Sequence, residues 1–206
     1  MPYGIINNIM LTKTQLKIVA YLIDHPHNHF GIRELAKEIS TVYYLVQRNV
    51  QQLNQAKIIE LHPAGKTHLV KLHPQAGLQP LLDAEGYKKL LFYQKYPLVK
   101  VILQKIMEQA NSCFFVLLVF GSYVQQPRKD SDLDLLLIMP NQEQAEFMER
   151  VITSVARTST IKIHETIVTE QSFITMIQRK ELNVAKEVQE KHILIYGDQL
   201  YYKLIP

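Results

Sequence analysis

The stretch FGSYVQQPRKDSDLDLLLI, residues 120–138, decides how the second half of this chain is read. It follows CFFVLLV, so that residues 113–120 form a continuous apolar run of the kind buried on both faces of a sheet. The run stops at Gly121 and Ser122. After nine intervening residues, Asp132 and Asp134 alternate with Leu133, Leu135 and Leu137. Alternate side chains of a strand point to opposite faces. The leucines then face a core while the two aspartates share the other face. Two carboxylates side by side repel each other, and a cation between them removes the repulsion.

The flanking sequence continues the alternation of strands and helices. Residues 142–155, QEQAEFMERVITSV, have helical spacing, and IKIHETIV is a further strand. Strict alternation puts Ile161, Ile163 and Ile167 on its core face with Glu165 among them, and Lys162, His164 and Thr166 on the other. EQSFITMIQRKELNVAKEVQEK reads as one or two helices, HILIYG as a last short apolar run, and YYKLI follows near the C-terminus.

An apolar strand, Gly-Ser, nine residues and a strand-borne Asp-x-Asp resemble the nucleotidyltransferase fold of the DNA polymerase β superfamily, in its minimal form. The segment from TEQSF to LYYKL is similar to the tail of those proteins, especially ones fused to an N-terminal winged helix. The resemblance implies a metal-dependent enzyme that moves a nucleoside monophosphate from a nucleoside triphosphate such as ATP to an acceptor. Minimal members include antitoxins that nucleotidylate a toxin protein, often with a small helical partner. It implies that Asp132 and Asp134 hold Mg²⁺ or Mn²⁺, which favour carboxylate and phosphate oxygens. Gly121 would let the triphosphate approach the backbone, and Ser122 would donate to a phosphate oxygen. Arg128 and Lys129 would contact phosphates or belong to a solvated loop. Active members carry a third carboxylate on the neighbouring strand, which makes Glu165 the third catalytic candidate. Alternation puts His164 in that place instead, and Glu165 reaches it only through a bulge or a register change. The chain also lacks the glycine many relatives carry between the two halves of the motif; Gln125, Gln126 and Pro127 occupy that region.

The first third has a different pattern. Residues 12–24 read as a helix, HPHNHF breaks it, and GIRELAKEIS forms a second helix. A third helix from about Tyr43 to Gln55 has Val46, Val50 and Leu53 inward, with Tyr44, Gln47, Arg48 and Gln51 outward. KIIELH and HLVKLH then flank a turn over residues 63–67 as a hairpin. Residues 32–61 resemble a winged helix-turn-helix in their spacing. The resemblance implies that the third helix enters the DNA major groove, with Tyr43, Tyr44, Gln47, Arg48 and Gln51 as reading positions and Lys66 on a phosphate. A winged helix used for dimerisation or as a spacer is the alternative for this domain; for the whole chain the alternative to an enzyme is a DNA-binding transcriptional regulator whose degenerate nucleotidyltransferase domain senses a nucleotide. With one Arg and no Lys on the reading face, the expectation is either weak binding or binding as a homodimer. His25, His27 and His29 alternate in the loop, either as metal ligands or as a solvated segment.

Composition sets the remaining bounds. The chain has 206 residues, 47% of them hydrophobic and 20% charged, as in ordinary globular proteins. One cysteine, Cys113, excludes an intrachain disulfide and reads as a small core residue. The apolar runs are too short to span a bilayer, and MPYGIINNIMLTK lacks the features of a secretory signal, so a cytoplasmic protein is expected. The net charge is +4, and residues 1–75 carry all of that excess: eight Lys and Arg against four acids. A basic excess in the first third points to an anionic partner there. The expected class is α+β: a winged helix-turn-helix over residues 1–75, a helical connector over 76–97, and a nucleotidyltransferase-type domain with a small mixed sheet over 98–206.

Overall fold

Apolar residues at helical spacing make the first element, α1 (Lys13–Ile23), which buries Ile18, Val19 and Leu22. This computed structural model describes residues 10–65, 67–110 and 114–205. Two expectations, a phosphate contact at Lys66 and a core position for Cys113, lie outside the described residues.

After α1 the chain makes a two-residue strand, β1 (Phe30–Gly31), then α2 (Ile32–Glu38) and α3 (Tyr43–Gln55). Helix α2 starts where the Gly31 amide donates to Glu34 Oε2 at 3.3 Å. Leu35 and Ala36 of α2, and Val46, Val50 and Leu53 of α3, are buried. A hairpin follows, β2 (Ile59–Ala64) and β3 (Thr67–Leu72), with Ala64 opposite Thr67. Strand β1 pairs with β3, so the sheet order is β1-β3-β2. Helix, strand, two helices and a hairpin closing a three-stranded antiparallel sheet is the winged-helix arrangement.

Two local expectations change. HPHNHF is more than a break, because its Phe30 begins β1; two residues are too few to show a strand period. The hairpin turn is tighter than the five residues expected. Pro63 and Ala64 belong to β2, and Gly65 turns at φ +60°. Pro63 is tolerated in β2 because that strand is at a sheet edge, where a missing amide hydrogen costs no ladder bond.

Two longer helices come next, α4 (Leu78–Lys95) and α5 (Pro97–Gln109), the second with Pro97 in its first turn. The described chain forms two compact units. One holds residues up to Leu22 and His27–Ala84; the other holds Ile23–Pro26 and the chain from Glu85 onward. The division falls inside α4, so the stretch read as a connector is a continuous helix shared by both.

The second unit is built on a mixed sheet. Strand β4 (Val116–Phe120) ends in a 3₁₀ turn over Gly121–Val124, and β5 (Leu133–Met139) returns antiparallel to it. Helix α6 (Gln142–Ala156) then carries the chain to β6 (Ile163–Thr169), parallel to β5. Helices α7 (Glu170–Gln178) and α8 (Val184–Glu190) lead to β7 (Ile193–Tyr196), antiparallel to β4, and α9 (Asp198–Leu204) closes the unit. The sheet order is β6-β5-β4-β7. Side-chain caps define three of these helix starts. Asn141 accepts from the Gln144 amide, Thr169 from the Ser172 amide, and Asn183 from the amides of Ala185 and Lys186. The class is α+β, as expected.

Alternation sorts the core into two layers. Leu117, Val119, Leu133, Leu135, Leu137, Ile163 and Ile195 pack with α5 and α6. Val116, Leu118, Phe120, Leu136, Ile138 and Leu194 pack with Phe173, Ala185, Val188 and Tyr201 from α7, α8 and α9. The YYKLI segment therefore joins the core through Tyr201 of α9. The unit also buries an ionic network. Glu85, 2% exposed, meets Lys88 at 3.2 Å and His192 Nε2 at 3.2 Å, and accepts from the Tyr202 hydroxyl at 3.1 Å. Lys88 also meets Asp24 at 2.6 Å. Burial alone would raise the Glu85 carboxyl, but the charges of Lys88 and His192 outweigh it and hold the group down to about 2.

Candidate functional site

In the first unit, the candidate surface is the solvent face of α3. Its register is fixed from behind. Val46, Val50 and Leu53 are buried, and Asn49 donates to the Leu45 carbonyl at 2.7 Å while accepting from the Thr12 hydroxyl at 3.1 Å. Gln52 accepts from Gln15 Nε2 at 3.1 Å. These polar ties to the start of α1 occupy Asn49 and Gln52. The opposite side of α3 presents Tyr44, Arg48 and Gln51 as exposed side chains, with Gln47 half-buried beside them. No acidic residue stands in the first turn.

Tyr43 departs from the expected set. It follows the buried side more closely than Tyr44 does, and the Arg33 guanidinium lies 5.7 Å from its ring centre. Arg33, Tyr43, Gly31, Ile32 and Thr67 line a cleft of about 450 Å³. Arg33 is an exposed cation beside the start of α3 that the sequence reading left out. The spacing of IRELAKE, which turns Leu35 inward and Arg33 outward, is the signal that would have found it. The three loop histidines do not gather: among the described residues no group of three or more His, Cys, Asp or Glu is placed to hold a metal ion. The His29 ring instead packs edge-on to His62, with centres 5.4 Å apart.

In the second unit, the ends of β4, β5 and β6 meet at the Gly-Ser turn. Antiparallel pairing sets Phe120 opposite Asp134, and parallel pairing sets Asp134 opposite His164. Gly121 has φ +65°, and a Cβ added there would stand 2.3 Å from Asp134 Oδ2. Only a residue without a side chain leaves room for that carboxylate. The Ser122 hydroxyl donates to the Asp132 carbonyl at 3.4 Å, which ties the turn to the start of β5. Asp132 precedes β5 and is paired with Lys162 Nζ at 2.7 Å. The hydrogen bond to Asp132, together with its negative charge, raises the Lys162 ammonium above its ordinary value. His164 Nδ1 stands 3.3 Å from Asp134 Oδ1. Arg128 and Lys129 are exposed in the loop before β5.

Glu165 is on the other face. It pairs with Leu135, follows the side of Ile163, and lines a cleft of about 410 Å³ with Glu146, Glu149 and Ser172. Pairing between β5 and β6 runs without a shift from Leu133 and Ile163 to Met139 and Thr169. No bulge brings Glu165 round to the aspartates, so it is not their third carboxylate. The donor set on the aspartate face is thus Asp132 and Asp134, each already beside a nitrogen side chain. Such a set does not fit a pair of Mg²⁺ or Mn²⁺ ions, whose repulsion asks for more negative charge than two aspartates facing Lys162 supply. The sequence placed Lys162 and His164 on this face through alternation, but gave no sign that Lys162 would reach Asp132.

No family model matches the chain, and no curated protein matches it. Solved structures that resemble it include the following three. AF1382 from Archaeoglobus fulgidus is 17% identical over 40% of this chain and 88% of its own, with a TM-score of 0.32. Reduced HlyU from Vibrio cholerae N16961 is 15% identical over 41% and 78%, with a TM-score of 0.30. TrmBL2, an archaeal chromatin protein with a novel mode of DNA binding, is 13% identical over 89% and 72%, with a TM-score of 0.30. Likenesses of this degree carry no argument about what this chain binds. Among the described residues no helix is long and apolar enough to cross a membrane.

Proposed function

We propose that this chain binds duplex DNA through its first unit, with α3 in the major groove, and acts as a DNA-binding regulator. The observation that supports this most is the outer face of α3. Tyr44, Arg48 and Gln51 stand exposed on a helix fixed from behind, with no acid in its first turn, in the part of the chain that carries the entire basic excess. Arg and Gln are the side chains whose paired hydrogen-bonding groups match guanine and adenine edges. The test is titration of a fluorescent duplex with the full chain over a range of salt. Affinity falls as salt rises, because phosphate neutralisation releases counterions. Arg48→Ala weakens binding by roughly 1–3 kcal/mol if Arg48 contacts a base. Binding indifferent to both salt and Arg48 defeats the reading.

The second unit supports a companion reading as a nucleotide-binding domain. What supports it is the resemblance carried by the Gly121–Ser122 turn and the strand-borne Asp132 and Asp134, with the Asp134 carboxylate packed against Gly121. Nucleotidyl transfer is the fuller version of this reading, and the placement of Glu165 on the opposite face weighs against it. A radiolabelled triphosphate separates the two. Retention on the protein without label transfer to any protein acceptor supports binding alone; transfer that is lost in Asp134→Asn supports the enzyme.

A further inference from the structure

We infer that α3 reads thymine methyl groups, so that the DNA this chain prefers is rich in A·T pairs; the inference rests on the DNA-binding reading above. The observation is a run of exposed apolar side chains at the start of α3. Val42 is 68% exposed, Tyr43 41%, Tyr44 68% and Leu45 44%. Large apolar groups scattered singly on a surface are ordinary, but Val42 and Leu45, three apart, share one side of the helix start with Tyr44 beside them. Tyr43 lies beside the Arg33 guanidinium, while Val42, Tyr44 and Leu45 are exposed.

The occupant follows from chemistry and charge. In the major groove only thymine presents a methyl group, and apolar side chains are its partners. The N-terminal residues of a recognition helix are the ones that meet base edges. One turn further along, Gln47 and Gln51 offer amides that pair with adenine. An A·T pair displays a methyl on one base and the adenine edge on the other. The apolar start and amide middle of α3 therefore match the same pair twice. On α3 itself Arg48 alone matches a guanine edge. The unit's basic excess provides the attraction to phosphate that a protein partner with an apolar patch would not need.

The probes are three 24-base-pair duplexes, titrated with the full chain at fixed salt: one A·T-rich, the same duplex with every thymine replaced by deoxyuridine, and one G·C-rich. Deoxyuridine keeps the pairing and the charge and removes only the methyl. The A·T-rich duplex binds more tightly than its deoxyuridine version by about fourfold for each methyl in contact. The Val42→Ala/Tyr44→Ala protein binds those two duplexes equally. Both positions are exposed, so the fold is retained, as far-UV circular dichroism verifies. Equal binding of thymine and deoxyuridine duplexes by the native protein, with salt dependence intact, overturns the thymine reading and leaves DNA binding standing. No salt-dependent binding to any duplex overturns the DNA reading itself. A homodimer that dissociates in Val42→Ala/Tyr44→Ala, with thymine and deoxyuridine bound alike, assigns the apolar patch to a second copy and also overturns the inference.

Discussion

Gly121→Ala probes the turn on which the second unit's site is built. Two costs add. At φ +65° an L side chain is strained by about 1–2 kcal/mol. Part of this is offset, because alanine restricts the unfolded chain and returns about 0.4–1 kcal/mol. The second cost comes from Asp134, whose Oδ2, Cγ and Cβ would lie 2.3, 3.0 and 3.3 Å from the new methyl. The carboxylate must swing out of its position beside His164, at about 0.5–1.5 kcal/mol for a displaced rotamer. The net loss is about 2 kcal/mol, of which about half belongs to Asp134.

A double-mutant cycle isolates that half. Urea unfolding followed by circular dichroism is measured for the native protein, Gly121→Ala, Asp134→Ala and the double variant. With Asp134 cut back to its Cβ, the glycine substitution retains its backbone strain and loses most of the collision. The coupling between the two sites is then about 1 kcal/mol, well outside the few tenths seen for independent positions. Gly197→Ala provides the contrast. There the added Cβ meets the Phe115 carbonyl oxygen at 2.2 Å and Val116 Cα at 3.0 Å, both backbone atoms that no side-chain deletion removes. It costs more than Gly121→Ala, in every background. If Gly121→Ala costs the same with and without Asp134, the carboxylate does not lie against the turn and the proposed geometry is wrong.

Three further outcomes follow from the same structure. The Glu85 carboxyl is held at about 2 against an ordinary 4.5, so its contribution is complete above pH 4.5 and is lost as the pH falls toward 2. Acid titration of the unfolding free energy therefore shows stability falling across that window, and Glu85→Gln removes that part of the slope. Lys88→Met leaves Glu85 buried with less compensation and costs roughly 3–5 kcal/mol in urea unfolding, whereas Lys162→Met, at an exposed ion pair, leaves stability unchanged within error. Gly86→Ala, inside α4 with open space around the new methyl, raises stability by about 0.5–1 kcal/mol in the same assay.

Much of the fold was legible because its elements are long or strictly periodic. The third helix was placed at its observed bounds, since Val46, Val50 and Leu53 leave one inward face and no breaker interrupts it. The strands at 116–120, 133–139 and 163–169 were visible as apolar runs or alternations. What escaped was short or decided by distant partners. Strand β1 exists only because Phe30 and Gly31 find Val70 and Leu69 on β3. Helix α9 was seen only as an apolar tail, because its position depends on Tyr201 entering the layer formed by α7 and α8.

The candidate site divides along the same line. Period-two alternation is a local property, so the sequence sorted Asp132, Asp134, His164 and Lys162 onto one face and Glu165 onto the other, and the unshifted β5–β6 register keeps them there. Alternation is silent on pairing across strands. It does not show that Lys162 reaches Asp132 while His164 meets Asp134, since that depends on where β6 starts relative to β5. It is equally silent on close approach: that Gly121 packs beneath Asp134 needs both the left-handed turn and the Phe120–Asp134 pairing. Residue types at a matching spacing therefore do not by themselves fix the charge balance of a site. Here a lysine and a histidine stand where a divalent-ion pair asks for further carboxylates. The two aspartates supply the spacing; their partners on β6 and just before it decide what the face can hold.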